Sequence, residues 1–241
     1  MKIKDYILHT HNGKNALVHP DHQDPVSAAL LTGEGCEPTT VKGRTRLMRF
    51  PYPDGHGLVR AYTRGGVVRH FLKDTYPFVN RPLLELKILC YLHEKVLPVP
   101  LPLGVCWEQT PLGYRGALAT QELSALPLVD YLGDTDEDPK EVLAQCGKRI
   151  RTMHELGVFH ADLQVRNILV SLDGIYLIDF DNARKAQSLG RHQRARNLLR
   201  LRRSIEKNRM ASHVFDEICA GYGEIQIPAW LSMLYTLRGL R

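Results

Sequence analysis

At 241 residues, with 44% hydrophobic and 24% charged positions, the chain can bury an ordinary core, which excludes a disordered or fibrous class. A formal net charge of +6 points to acidic partners, and five cysteines without a Cys-x-x-Cys pair exclude a disulfide framework or a cysteine-rich metal site. No apolar run approaches the roughly 20 residues that cross a bilayer, and Met1–Asp5 lacks the apolar stretch of a secretion signal. The expectation is a cytosolic protein, or one that docks on a membrane from the cytosolic side.

Residues 1–35 are polar and His-rich (His9, His11, His19, His22) with little periodicity, and are expected to form an irregular N-terminal extension. From Val41 to Tyr62 the pattern predicts a strand, a turn at Pro53-Asp54-Gly55-His56-Gly57, and a second strand from Leu58. A helix follows from about Arg81 to Lys95, with Leu84, Ile88 and Leu92 on one face, and Leu97-Pro98-Val99-Pro100 stops it. Two strands around Val105 and Ala117 flank the turn Pro111-Leu112-Gly113. Residues 36–122 thus read as a small β-rich lobe with one helix.

Residues 123–241 read as a larger helical lobe. Its first long helix has Asp138 as N-cap, Pro139 as first residue and Glu141 in the capping-box position. Val142, Cys146, Ile150 and Met153 form its buried stripe, and Gly157 ends it. The order of small β lobe, connector and helical lobe, with ATP between the lobes, predicts an α+β, protein-kinase-like two-lobe fold.

The most informative stretch runs from His160 to Asp181. It reads His160-Ala161-Asp162, then Asn167, a short strand, the turn Ser171-Leu172-Asp173-Gly174, a second strand, and Asp179-Phe180-Asp181. Phosphoryl transfer needs a group to orient the attacking hydroxyl and others to hold Mg2+ against the phosphates. Asp162 suits the first task, and Asn167 and Asp179 the second. Each residue alone is as well explained as a turn or strand-end residue; their conjunction around a hairpin favours the catalytic reading.

The β-rich lobe should supply a cation on a strand, oriented by a helix carboxylate. Arg60 stands where a Lys is usual, and a guanidinium is an adequate phosphate ligand. Glu85 is its candidate partner. A Gly-rich loop is poorly represented, by Gly43 in Lys42-Gly43-Arg44, which a plain turn explains equally well. Ala161 occupies the place where many regulated protein kinases carry an Arg, and no Ala-Pro-Glu follows Asp181. Both features argue against a protein substrate and for a small-molecule or sugar acceptor.

The stretches Val41–Arg44, Arg60-Ala61-Tyr62-Thr63-Arg64-Gly65-Gly66, Lys73–Tyr76, Leu97–Pro100, Asp162–Leu169, Asp179–Asp181 and Leu201–Lys207 resemble the lipopolysaccharide Kdo kinase family in the family's order. The resemblance implies ATP-dependent, Mg2+-requiring phosphorylation of the 4-hydroxyl of 3-deoxy-D-manno-octulosonic acid (Kdo) on a lipid A precursor. It implies a peripheral protein on the cytoplasmic side of the inner membrane. Asp162 would be the catalytic base, and Asn167 and Asp179 the Mg2+ ligands. Ala61 replaces an expected His, and Gln164-Val165-Arg166 replaces a more usual Asn-Ala-His, which bears on acceptor recognition.

An acceptor carrying a carboxylate and phosphates should meet basic side chains. Candidates are Arg64, Arg69, Lys73 and Arg166. Arg191, Arg194, Arg196, Arg200, Arg202, Arg203, Lys207 and Arg209 face only Glu206 in a helix whose apolar side is Leu198, Leu201 and Ile205. This helix suits an anionic membrane surface or, equally, a packed helix with a solvated face. A nucleic-acid binder would share the basic charge but not need the carboxylates in register, so no nucleic acid is expected. The alternatives left open are a heptose kinase of the same lipopolysaccharide superfamily and a catalytically inactive kinase-like scaffold.

Overall fold

The protein, seen here as a computed structural model, is described for residues 3–39, 47–62, 79–111, 113–135, 138–225, 227–228, 230 and 233. It divides into two compact units: Met1–Glu94 with Pro100–Glu122, and Lys95–Val99 with Leu123–Arg241. Gly43, Arg64, Arg69 and Lys73 lie outside the described residues.

The first unit is built on a seven-stranded antiparallel sheet. Its strands are β1 (Ile7–His11), β2 (Lys14–Val18), β3 (Glu37–Pro38), β4 (Leu47–Tyr52), β5 (Gly55–Ala61), β6 (Pro102–Thr110) and β7 (Gly113–Gln121), in the order β1-β2-β6-β7-β5-β4-β3. Two helices accompany it, α1 (Gln23–Leu31) and α2 (Arg81–Glu94).

The N-terminal residues correct the expectation of an irregular extension. Asn12 and Gly13, with φ of 48° and 79°, make the two-residue turn that joins β1 to β2; an Asn-Gly turn matches the twist of the strands it connects. β2 then pairs with β6, and α1 packs Val26, Ala29 and Leu30 against Ala16, Val18, Phe50 and Leu103. The polar character of the segment reflects β1, a largely exposed edge strand.

Two smaller corrections concern faces and turns. The β4–β5 connection is only Pro53-Asp54, because Tyr52 already pairs with Gly55. Leu84 is 48% exposed, and α2 buries Glu85, Leu86, Ile88, Leu89 and Leu92 instead.

The second unit holds β8 (Ala125–Pro127), α3 (Leu128–Asp134), α4 (Lys140–Glu155), β9 (Val158–Phe159), β10 (Ile168–Ser171), β11 (Gly174–Leu177), β12 (Arg184–Lys185), α5 (Arg191–Lys207) and α6 (His213–Tyr222). α4 starts one residue later than expected, with Pro139 as its N-cap and no capping side chain there, while Asp138, one residue before, accepts from the Lys140 amide at 3.2 Å. Glu141 does not complete a capping box; it accepts from Gln145 one turn on. Leu143, not Val142, begins the buried stripe. α4 and α6 touch backbone to backbone: a Cβ at Gly147 would lie 2.0 Å from the Ile218 carbonyl oxygen, and one at Gly221 2.0 Å from that of Ala144. No larger residue fits at either contact.

Candidate active site

In the first unit, β5 carries Arg60 and α2 carries Glu85, and the two form an ion pair with Nη2 2.5 Å from Oε2. Glu85 is 3% exposed, so its carboxylate needs a compensating charge to be buried there. The Tyr62 hydroxyl also donates to Glu85, and the Arg60 guanidinium lies 5.0 Å from the centre of the Tyr62 ring. Strand alternation places Arg60 and Tyr62 on the same face. This is the pairing expected from the sequence, with Tyr62 as an unforeseen third member.

In the second unit, the loop from His160 to Asn167 is fixed through its backbone. His160 is wholly buried and neutral in character, since burial pushes its pKa down. Its Nε2–H donates to the Ile178 carbonyl at 3.0 Å, and its Nδ1 accepts from the Asp162 amide at 3.1 Å. The imidazole thus ties the residue before Asp179 to the backbone of Asp162 itself. The Phe180 ring packs on His160 with centroids 4.8 Å apart.

Asn197 of α5 grips the same loop. Its amide nitrogen donates to the His160 carbonyl at 2.7 Å and its oxygen accepts from the His160 amide at 3.1 Å. That oxygen also accepts from His154 Nε2 at 3.0 Å, while the Tyr222 hydroxyl donates to His154 Nδ1 at 2.9 Å. Burial holds the His154 pKa down to about 4. A chain of neutral groups from α6, α4 and α5 therefore converges on the backbone of one residue, His160.

α5 follows the loop along its length. One turn after Asn197, Arg200 Nη1 lies 3.4 Å from Asp162 Oδ1; then Ser204 Oγ accepts from the Val165 amide at 3.2 Å. Asn208, just past the helix, has its oxygen 3.4 Å from Arg166 Nη2, and Arg166 is exposed at the outer end of the loop.

Within this frame Asp162 is half-exposed, its second oxygen accepting from Gln164 Nε2 at 2.9 Å. Asn167 donates its amide N–H to the Asp162 carbonyl at 2.9 Å, which leaves its side-chain oxygen as an acceptor. The Ile178 amide donates to the Asn167 carbonyl at 3.1 Å, so Asp179 follows directly on a residue bonded to Asn167. Asp179 itself adopts a left-handed φ of 63°, uncommon outside glycine and the sort of conformation that clusters at functional sites. The structure thus brings Asp162, Asn167 and Asp179 onto one frame. Arg60 and Glu85 form a separate group in the first unit. His154, Asn197, Arg200 and Tyr222 were not singled out as site residues by sequence.

A model of the lipopolysaccharide kinase (Kdo/WaaP) family matches residues 37–222, so the N-terminal hairpin and α1 precede the matched range. A 3-deoxy-D-manno-octulosonic acid kinase of Haemophilus influenzae (strain 86-028NP) is 34% identical over 181 residues, which cover 70% of this chain and 74% of that protein. The like-named protein of Xanthomonas campestris pv. campestris (strain B100) is 34% identical over 188 residues, covering 73% and 72%. That of Actinobacillus succinogenes is 34% identical over 158 residues, covering 62% and 65%. Among solved structures, WaaP in complex with acyl carrier protein superposes with a TM-score of 0.63 at 16% identity, covering 91% of this chain and 97% of that one. A spectinomycin phosphotransferase in complex with ADP and spectinomycin superposes with a TM-score of 0.54 at 13% identity, covering 83% and 77%. The fold is accordingly the α+β, protein-kinase-like one.

Proposed function

The chain belongs to the lipopolysaccharide kinase (Kdo/WaaP) family, and from that premise we propose that it transfers the γ-phosphoryl group of ATP to the 4-hydroxyl of Kdo on a lipid A precursor. The bond between the γ-phosphorus and the bridging oxygen of ATP breaks, a new bond to the sugar oxygen forms, and ADP leaves. Asp162 accepts the hydroxyl proton and orients the attacking oxygen. The loop carrying it is held by His160 and Asn197 before substrate arrives, so little reorganisation is needed at the moment of transfer. Arg60 is the ligand for the ATP phosphates, and Glu85 fixes its direction.

Asn167 and Asp179 suit Mg2+, which is typically bound by one or two protein oxygens together with phosphates rather than by an all-protein cage. Among the described residues no group of three or more His, Cys, Asp or Glu side chains forms such a cage. When bound, the ion neutralises charge on the transferring phosphates. Asn167 presents an amide oxygen because its nitrogen is committed to Asp162.

We place the reaction at the cytoplasmic surface of the inner membrane, where the acceptor's lipid would sit. Among the described residues no helix is long and apolar enough to cross a bilayer. A peripheral attachment through exposed basic side chains is in keeping with the +6 net charge.

The observation that carries this reading is the anchored loop His160–Asn167 with Asp162 half-exposed on it, in a chain similar to proteins named for Kdo phosphorylation. Its test is the transfer of labelled phosphate from Mg-ATP to Kdo-lipid IVA. Wild type should label the lipid, and Asp162→Asn should lower the rate by about 10^3-fold or more while its unfolding transition is unchanged. Turnover by Asp162→Asn would remove Asp162 from the chemistry. Labelling of a heptosylated acceptor alone would select a heptose kinase.

A further inference from the structure

We propose that Arg200 binds the carboxylate of the acceptor sugar and thereby selects an acid such as Kdo over a neutral sugar, an inference that rests on the Kdo kinase reading above. Arg200 Nη1 lies 3.4 Å from Asp162 Oδ1, and the two side chains are 43% and 50% exposed. A structural Arg–carboxylate pair is usually bidentate and shorter. Here a single long contact is made, and the rest of the guanidinium has no hydrogen-bond partner among the described residues. Other arginines of α5 are employed elsewhere: Arg194 donates to the Leu189 carbonyl, Arg196 lies over Phe159, and Arg202 pairs with Glu206.

A guanidinium set beside Asp162 with donors to spare can hold a further carboxylate. Its place there is accounted for by a second anion that arrives with the substrate. In Kdo the carboxylate is attached to C2 and the reacting hydroxyl to C4, with only the C3 methylene between them. Neighbouring Asp and Arg side chains therefore match neighbouring hydroxyl and carboxylate groups on one ring. Once the carboxylate occupies Arg200, the guanidinium's charge is shared with it and Asp162 is left to the hydroxyl. A heptose, lacking the carboxylate, would leave Arg200 paired to Asp162. The register is secure because Asn197 and Ser204, one turn to either side, are bonded to the loop.

The test compares Kdo-lipid IVA with the same acceptor after its Kdo carboxyl has been reduced to a primary alcohol, for wild type and Arg200→Gln. The expected result is a KM for the carboxylate acceptor raised about 10- to 100-fold in Arg200→Gln, as for loss of a hydrogen bond to a charged group. Wild type should lose the same factor on the reduced acceptor, where the variant should match it, and the KM for ATP should not move. Wild type indifferent to carboxyl reduction overturns the inference without any reliance on the variant's folding. An equal fall in kcat on both acceptors would make Arg200 a positioning residue for Asp162, and a raised KM for ATP would assign it to the nucleotide phosphates; either overturns the proposal. Absence of wild-type transfer to Kdo-lipid IVA would remove the Kdo kinase reading itself, and this inference with it.

Discussion

In the first unit the polar centre is a charge pair, Arg60 on β5 and Glu85 on α2, with one tyrosine in attendance. In the second it is a relay of neutral groups, Tyr222, His154 and Asn197, closed on the backbone amide and carbonyl of His160. The two solutions serve different purposes. A charge pair keeps one member cationic and directional. A neutral relay fixes backbone, and it does so without a buried charge to compensate. Where an enzyme needs a mobile electrostatic handle it can use the first, and where it needs an immovable loop it can use the second.

The comparison can be broken most directly at Asn197. Asn197→Ala leaves the buried amide and carbonyl of His160 without partners and opens a small void, and should destabilise the protein by about 3 kcal/mol. A urea titration measures the loss. If the relay only supports the fold, kcat per folded molecule will be unchanged; if it sets the loop, kcat will fall with little change in the KM for ATP.

Acid sharpens the contrast next. The folded pKa of His154 is about 4 against an ordinary 6.5, so the unfolded chain binds more protons between those values. The stability from a neutral His154 is therefore complete above about pH 6.5 and is lost as pH falls toward 4, by up to about 3 kcal/mol. His160, also pushed down by burial, acts in the same direction. Urea midpoints followed from pH 7 to pH 4 should fall, and His154→Gln should flatten that slope.

The smallest effect on stability should come from the charge pair. Glu85→Gln keeps the shape and a hydrogen-bond acceptor but removes the compensating charge from Arg60, which is itself 25% exposed and can be solvated. A stability loss of about 1–2 kcal/mol is expected, with the KM for ATP raised about tenfold and kcat affected less. A variant with unaltered nucleotide affinity would separate the Arg60–Glu85 pair from phosphate binding.

The contrast also explains what could be read from the sequence. Arg60 and Glu85 were legible as partners because a charged residue on a strand and another on the next helix have few alternatives. Asp162, Asn167 and Asp179 were legible as a set because a hairpin of known spacing joins them. Asn197, His154 and Tyr222 come from three helices, and their convergence is a property of helix packing, down to the Gly147 and Gly221 contacts that let α4 and α6 touch. No local pattern announces it. The N-terminal hairpin was different: Asn12-Gly13 is a turn signal present in the sequence, outweighed by the polarity of an edge strand. Leu84 shows the ordinary ambiguity of a helix with apolar residues on more than one side, where spacing alone cannot choose the buried face.

The loop is contacted from residues 197, 200 and 204 of α5 and from Asn208 at its C-cap, steps of three and four that keep to one side of a helix. α5 is in this sense a ruler laid against the loop. Adding or removing a single residue within it would turn everything beyond by about 100° and break the later contacts together. The spacing from Asn197 to Asn208 is therefore the feature of this helix that an insertion or deletion would damage most.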